Sequence, residues 1–268
     1  MIWSHGNVRA LCTNRLGGVS AGPFASLNLG MHVGDDPQLV LLNRRKLRQQ
    51  LPAEPVWLNQ VHGTHVHVID KKPSELFKQA GEQDQPGISD PALTADAAVT
   101  NQFGLVLAVM TADCLPVLFA TQDGSVIGAA HAGWRGLNAG VLEQTVGAMR
   151  NLAPNTVIEC HFGPAIGPKQ FEVGADVRDA FVNEDDRAQE AFIAHNKARQ
   201  LGQPKWLADI CKLAALRLAS LNVVCLDDHA PCTVSEPHRW FSYRRDGKTG
   251  RMASCVWLES GGLNSTVA

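Results

Sequence analysis

Apolar positions fall into short unbroken runs through the middle of the chain, rich in the β-branched and aromatic residues that strands favour. Val56 to Val61 and Thr64 to Ile69 flank a His62-Gly63 break, and the second run alternates polar with apolar. The pair predicts a strand with a bulge or turn at Gly63. Gly104 to Met110, Leu115 to Ala120 and Ser125 to Ala130 scarcely alternate, which predicts strands buried on both faces. The last two are separated by Asp123-Gly124, a pair that tolerates the positive φ of a tight hairpin. Helical spacing shows in three places. Asp36-Pro37 supplies an N-cap and first turn for a helix over Gln38 to Leu51. Leu137 to Leu152 and Ala208 to Leu221 carry apolar stripes at the helical period. Lys71 to Pro91 contains three prolines and two glycines, and predicts a long surface loop with one helical turn at Ser74 to Phe77. Helices around a strand-rich centre make the expected fold α+β, a layered α/β arrangement of central mixed β-sheets flanked by helices. No linker divides the chain, so residues 1–268 are expected to form one domain.

Composition narrows the function classes. At 45% hydrophobic and 19% charged residues, the chain can bury a large core and is too apolar for disorder. Lys and Arg total 24 against 26 Asp and Glu, a net charge of −2 without long like-charge runs, which excludes a general nucleic-acid surface. The longest apolar stretches, such as Leu105 to Met110, fall far short of the roughly 20 residues that span a bilayer. Met1 to Gly6 lacks the features of a secretory signal, so a cytoplasmic protein without membrane partners is expected. The seven cysteines are scattered and contain no Cys-x-x-Cys, which predicts free thiols, mostly as small buried apolar groups.

Three segments place reactive side chains where a strand stops: Asn59-Gln60-Val61-His62-Gly63, Thr111-Ala112-Asp113-Cys114-Leu115-Pro116 and His131-Ala132-Gly133-Trp134-Arg135-Gly136. Singly, each has a structural explanation, in hydrogen bonding, packing or close approach of a helix. Together, His62, Cys114 and His131 supply two imidazoles and a thiolate, a donor set that catalytic zinc sites use while leaving a fourth position open. The same residues also suit a metal-free centre with Cys114 as a nucleophile activated by a histidine. Arg135, beside glycines at a helix start, is a candidate anion binder. Thr13 to Ser20 puts Arg15 next to a Gly-Gly turn, and Phe241 to Gly247 sets Tyr243, the single tyrosine, beside two arginines. The second loop suits stacking on a flat ligand, or is merely a charged turn.

These segments, with Ala95-Asp96-Ala97 and Gly163-Pro-Ala-Ile-Gly-Pro, resemble the YfiH-like laccase-domain family, once called multicopper polyphenol oxidases, from Thr13 to about Ala253. The resemblance implies a fold like the catalytic domain of cytotoxic necrotising factor. It also implies a purine nucleoside phosphorylase that cleaves adenosine, inosine, guanosine or methylthioadenosine with phosphate and deaminates adenosine. His62, Cys114 and His131 match the family's metal and catalytic centre, usually zinc, with copper as another candidate. Arg15, Gln60 and Arg135 match family positions and are expected to bind substrate, with Asp113 orienting a ligand or shuttling a proton. Lys169 and Gln170 stand where some members carry a cysteine pair, so no thiol chemistry is expected there. Expected partners are nucleoside and phosphate, with the chain a monomer or small homo-oligomer. Two other readings stay open: a Cys-His amidohydrolase of cell-wall precursors, and a copper-dependent polyphenol oxidase. The latter needs many histidines, and the ten present include one His-x-His pair, His65 and His67.

Overall fold

A computed structural model describes residues 3–71, 92–195 and 204–259. A five-stranded sheet runs in the order β1 (Trp3–His5), β2 (Val8–Cys12), β16 (Met252–Leu258), β8 (Val106–Thr111) and β3 (Pro55–Val56). A six-stranded sheet runs β15 (Val223–Cys225), β11 (Ile158–Phe162), β9 (Leu115–Thr121), β10 (Ile127–Ala132), β7 (Ala97–Thr100) and β5 (Val66–Val68). Both are mixed: β3 joins β8 in parallel, as β15 joins β11 and β5 joins β7, while the other neighbours are antiparallel. Small sheets of β4 (Leu58–Asn59) with β6 (Leu93–Thr94), and of β12 (Glu172–Val173), β14 (Trp206–Ala208) and β13 (Phe192–Ala194), sit beside them.

Strand periodicity explains the layering. Successive side chains point to opposite faces, so in β8 Leu107 and Val109 enter the core between the two large sheets, whereas Val106, Ala108 and Met110 pack under helix α1 (Pro37–Arg48). In β9 Leu118 and Ala120 face the inter-sheet core, while Leu115, Val117 and Phe119 face helices. Those helices are α3 (Val141–Leu152) and α5 (Ile210–Ser220), which bury Val146, Met149, Leu213 and Leu218 against the six-stranded sheet. The result is four layers, helix on sheet on sheet on helix. Strands with apolar side chains on both faces read as continuous apolar runs because both faces are covered.

The helices over Gln38 to Leu51 and Ala208 to Leu221 form as α1 and α5, with Asp36 and Asp209 accepting from the amides of Gln38 and Lys212. The predicted helix over Leu137 to Leu152 is two helices, α2 (Trp134–Ala139) and α3, because Gly140 turns the backbone to φ 99°. The strand with a bulge at Gly63 is a correction: β3 belongs to one large sheet and β5 to the other, and the chain crosses between them there. Asp123-Gly124 does form the β9–β10 hairpin, with Gly124 at φ 66°. The loop and helical turn expected within Lys71 to Pro91 fall on residues 72–91, outside the described residues. The remaining helices are α4 (Ala175–Val182) and α6 (Tyr243–Asp246). None of the described helices is long and apolar enough to cross a membrane.

Candidate metal and catalytic centre

Two crossings between the large sheets build the site. One, between β3 and β5, carries His62. The other carries Asp113 and Cys114 from the end of β8 to Leu115, which pairs with Ala132 at the end of β10. His131 is the penultimate residue of β10, so both histidines and the cysteine meet at one end of the sandwich. His62 and Asp113 adopt φ of 61° and 98°, and a non-glycine backbone stays in that region only where its surroundings hold it.

Asp96, fully buried just before β7, does the holding for His62. Its carboxylate accepts from the backbone amides of Val61, His62 and Gly63 at 3.2, 2.9 and 2.7 Å, and meets His131 Nδ1 at 2.8 Å. One carboxylate thus sets the backbone that presents one imidazole and orients the ring of the other. Burial alone raises the Asp96 pKa, but the His131 contact and the Gly63 amide outweigh it and hold the group below its ordinary value. Sequence reading gave Asp96 no role. The available signal was a lone acid between alanines in an apolar stretch, since a buried carboxylate needs several donors.

His62, Cys114 and His131 present ligand atoms that all lie within 4.8 Å of one another, the one such group among the described residues. Cys114 Sγ is 3.8 Å from His62 Nε2, and the two imidazole rings stand 4.8 Å apart at 76°. Gly133 makes this approach possible: a Cβ there would lie 2.8 Å from His62 Cδ2 and 3.1 Å from Cys114 Sγ. Burial opposes ionisation of both Cys114 and His131. Their mutual charge and hydrogen bonds win, lowering the thiol to about 6 and raising the imidazole to about 9. Without a metal the pair is therefore thiolate and imidazolium at neutral pH.

The donor set fits a zinc-like ion. Two imidazoles and a soft thiolate suit zinc or copper, and a carboxylate behind one histidine is the usual partner that fixes the ligating tautomer. Ligand atoms on a zinc tetrahedron lie roughly 3.3–3.6 Å apart given bonds of about 2.0–2.3 Å, so small side-chain movements would close the group on an ion. His65 and His67 contact each other at 4.6 Å between centroids, with no third ligand in reach among the described residues.

The group opens into a cleft of about 270 Å³ walled by Trp134, Ile166, Phe171, Ile210 and Tyr243, with Arg135 and Arg244 along it. Arg135 stands where the sequence put it, exposed and stacked on Trp134 at 4.6 Å. Tyr243 and Arg244 bring the second loop to the cleft, while Arg245 turns inward to the carbonyls of Thr233, Val234 and Trp240. Asp113 lines the cleft, but its oxygens accept from the Thr233 hydroxyl and the Arg244 amide, each at 2.6 Å. It fixes the loop that carries Arg244.

Two expected substrate binders have protein partners and lie outside the cleft lining. Gln60 gives both ends of its amide to Met110, donating to the carbonyl at 2.8 Å and accepting from the amide at 2.7 Å, which ties the two sheet crossings together. Arg15 spans the carbonyls of Ala25 and Pro237 and stacks on Phe241, outside the residues that line the cleft. Both carry polar groups that a substrate would need, and backbone engages them instead: the end of β8 for Gln60, loop carbonyls for Arg15.

Residues 9–259 match the family described as multi-copper polyphenol oxidoreductase laccase. Proteins named purine nucleoside phosphorylase YfiH from Shigella flexneri and Escherichia coli are each 48% identical over 253 residues, covering 94% of this chain and 94% of theirs. A purine nucleoside phosphorylase of Pseudomonas aeruginosa is 45% identical over 252 residues, with 94% of each covered. Among solved structures, a Neisseria meningitidis protein superposes with a TM-score of 0.81 at 43% identity, covering 96% of each chain. The hypothetical protein YfiH of Bacillus licheniformis gives 0.81 at 30% identity, covering 94% of this chain and 93% of its own.

Proposed function

The chain belongs to the multi-copper polyphenol oxidoreductase laccase family, and on that footing we propose that it is a cytoplasmic purine nucleoside phosphorylase with adenosine deaminase activity at the same centre. The observation that carries the reading is the His62, Cys114 and His131 group, backed by Asp96, at a narrow cleft with apolar and aromatic walls and two guanidinium groups. Relatives 43–48% identical across nearly the whole chain bear the phosphorylase name.

In phosphorolysis a phosphate oxygen bonds to the sugar's anomeric carbon as the bond to the purine nitrogen breaks, and the bonding pair leaves with the base. Arg135 holds the phosphate, as a planar donor suited to its oxygens, and Arg244, whose Nη1 donates to the carbonyls of Gln170 and Glu172, adds its remaining donors. Tyr243, Phe171 and Trp134 enclose base and sugar and keep water out. His62, exposed at the cleft, stands beside the place where the departing purine takes up its proton; in a centre without an ion its imidazole can pass that proton, and with an ion bound its ring nitrogen is a ligand instead. His131 is held by Asp96, so its ring keeps one orientation throughout. A zinc ion held by His62, Cys114 and His131 would add Lewis acidity beside these groups. In deamination, water replaces the 6-amino group, which takes up a proton from that water and leaves as ammonia.

The test is chromatography of adenosine incubated with and without phosphate, with Cys114→Ala as control. Adenine with ribose 1-phosphate supports phosphorolysis and inosine supports deamination; unchanged adenosine in every tube defeats the reading. One observation favours a second: Cys114, His131 and Asp96 form a cysteine–histidine–carboxylate series, as nucleophilic hydrolases use. An amidohydrolase of that kind keeps its activity after chelation and loses it on alkylation of Cys114.

A further inference from the structure

Away from the cleft, two thiols face each other across neighbouring strands. Cys160 of β11 and Cys225 of β15 are register partners in a parallel pair, and their sulfurs lie 3.5 Å apart. Strands pair at about 4.8 Å, within the Cα separation that a disulfide spans. Cys160 is buried at 1% exposure, while Cys225 is half-buried on β15, a three-residue strand at the edge of its sheet. The residues flanking Cys225, Val224 and Leu226, are 45% and 43% exposed, so solvent reaches this edge.

We propose that Cys160 and Cys225 are a redox clasp: a dithiol that a small-molecule disulfide oxidises to an intrachain bond, stapling β15 to β11. The Cys225 sulfur attacks one sulfur of the small disulfide, making a mixed disulfide and releasing one thiolate. The Cys160 sulfur then attacks Cys225 Sγ, forming the intrachain bond and expelling the second thiolate. The two protein thiol protons pass to the two released thiolates, and two electrons move from the protein to the oxidant. The hydrogen bond from the Cys160 thiol holds Cys225 below its ordinary pKa and raises Cys160, which agrees with the exposed sulfur attacking first.

The clasp touches the cleft through the chain on both sides. Beyond β11 the chain reaches Ile166, which lines the cleft and donates to the Asp113 carbonyl at 2.8 Å. Beyond β15 it reaches Thr233, whose amide donates to the Ala165 carbonyl and whose hydroxyl holds Asp113. A bond between the two strands fixes the relative position of both segments, whatever reaction the cleft performs.

The experiment exposes the reduced full-length protein to graded ratios of oxidised to reduced glutathione, quenches with a thiol alkylator under denaturing conditions and maps the peptides. The expected result is a linked pair of peptides containing Cys160 and Cys225, both cysteines lost to the alkylator together, and a thermal midpoint raised by about 5 °C or more. Cys160→Ser should halt at the glutathione adduct on Cys225, and Cys225→Ser should leave Cys160 fully alkylatable. Wild-type protein in which both cysteines stay alkylatable, or in which Cys225 carries glutathione while Cys160 remains free, overturns the proposal. The wild-type peptide map decides the matter even where a variant folds poorly.

Discussion

His131 and His62 approach each other to 4.8 Å, yet they belong to different kinds of structure. His131 sits within β10 at 3% exposure, paired across the ladder with Pro116 and fixed by Asp96 through its ring. His62 is exposed in a crossing loop at φ 61°, and Asp96 holds its backbone but not its ring. One half of the centre is sheet and the other is loop, with one carboxylate serving both. The lesson is a division of labour: the sheet fixes His131 against a buried carboxylate, and the crossing loops bring the thiol of Cys114 and an imidazole that substrate and ion can reach.

The sharpest way to break that comparison is to remove what the two halves share. Asp96→Asn replaces an acceptor of four contacts with a group that also donates, so His131 loses its enforced tautomer and residues 61–63 lose their anchor. Turnover should fall by about 10²–10⁴ and metal affinity by about 10–100-fold, read by steady-state assay and by titration with a zinc indicator. Near wild-type turnover with unchanged affinity would show that the sheet and loop stand independently. Gly133→Ala tests the interface between the halves. Its Cβ would stand 2.8 Å from the His62 ring, so the ring must move and metal affinity should drop by about 10-fold or more, nearer the low end of outer-shell effects, while the thermal midpoint shifts little.

The charge pair can be read without any substrate. With Cys114 lowered to about 6, its thiolate is present above that pH and is lost as the pH falls through it. Alkylation of Cys114 by iodoacetamide in chelator-treated protein should therefore slow by about tenfold from pH 7 to pH 5, because only the thiolate reacts. Added zinc should protect the residue, and in Asp96→Asn the midpoint should move upward, since His131 loses the partner that stabilises its charge. An alkylation profile centred near the ordinary thiol value would sink the ion-pair assignment.

The same division governs how much the sequence disclosed. The buried strands were legible because two covered faces leave unbroken apolar runs, as in Leu115 to Ala120. His62, Cys114 and His131 were legible as a chemically coherent set at strand ends. What escaped was the architecture between them. Nothing local marks the change of sheet after Val56, because β3 and β5 have similar side chains and differ only in their partners. Gln60 and Arg15 turned out to have protein partners that no local pattern shows, for a related reason. A polar side chain near a site reads alike whether it will meet a substrate or the backbone, and only the fold shows that Met110, Ala25 and Pro237 engage their hydrogen bonds. Asp96 was visible within Ala95-Asp96-Ala97, but nothing beside it along the chain shows the three backbone amides and the imidazole that it will hold.

On the loop side the expected effects are smaller, since a solvent-facing arginine works in high dielectric and others share its task. Removing the Arg244 side chain leaves its backbone bond to Asp113 intact and takes a donor from the carbonyls of Gln170 and Glu172, so Arg244→Ala should raise the KM for phosphate by about 5–10-fold with little change in kcat. A fall in kcat without a KM effect would place this guanidinium on the reacting atoms instead of on the phosphate.

The weakest perturbation isolates packing from chemistry. Gly147 lies inside α3, exposed, and a Cβ added there meets no atom within 4 Å. Gly147→Ala should therefore stabilise the protein by about 0.5–1 kcal/mol, because alanine loses less conformational entropy in a helix, with a thermal midpoint higher by about 1–4 °C and unchanged zinc affinity. Set beside Gly133→Ala, the same methyl group is added twice with opposite expectations: stability without a change at the centre in one case, damage to the centre with little change in stability in the other. Equal loss of zinc affinity in both variants would mean that the centre responds to general disturbance of the helical layer, and the close approach at Gly133 would lose its special standing.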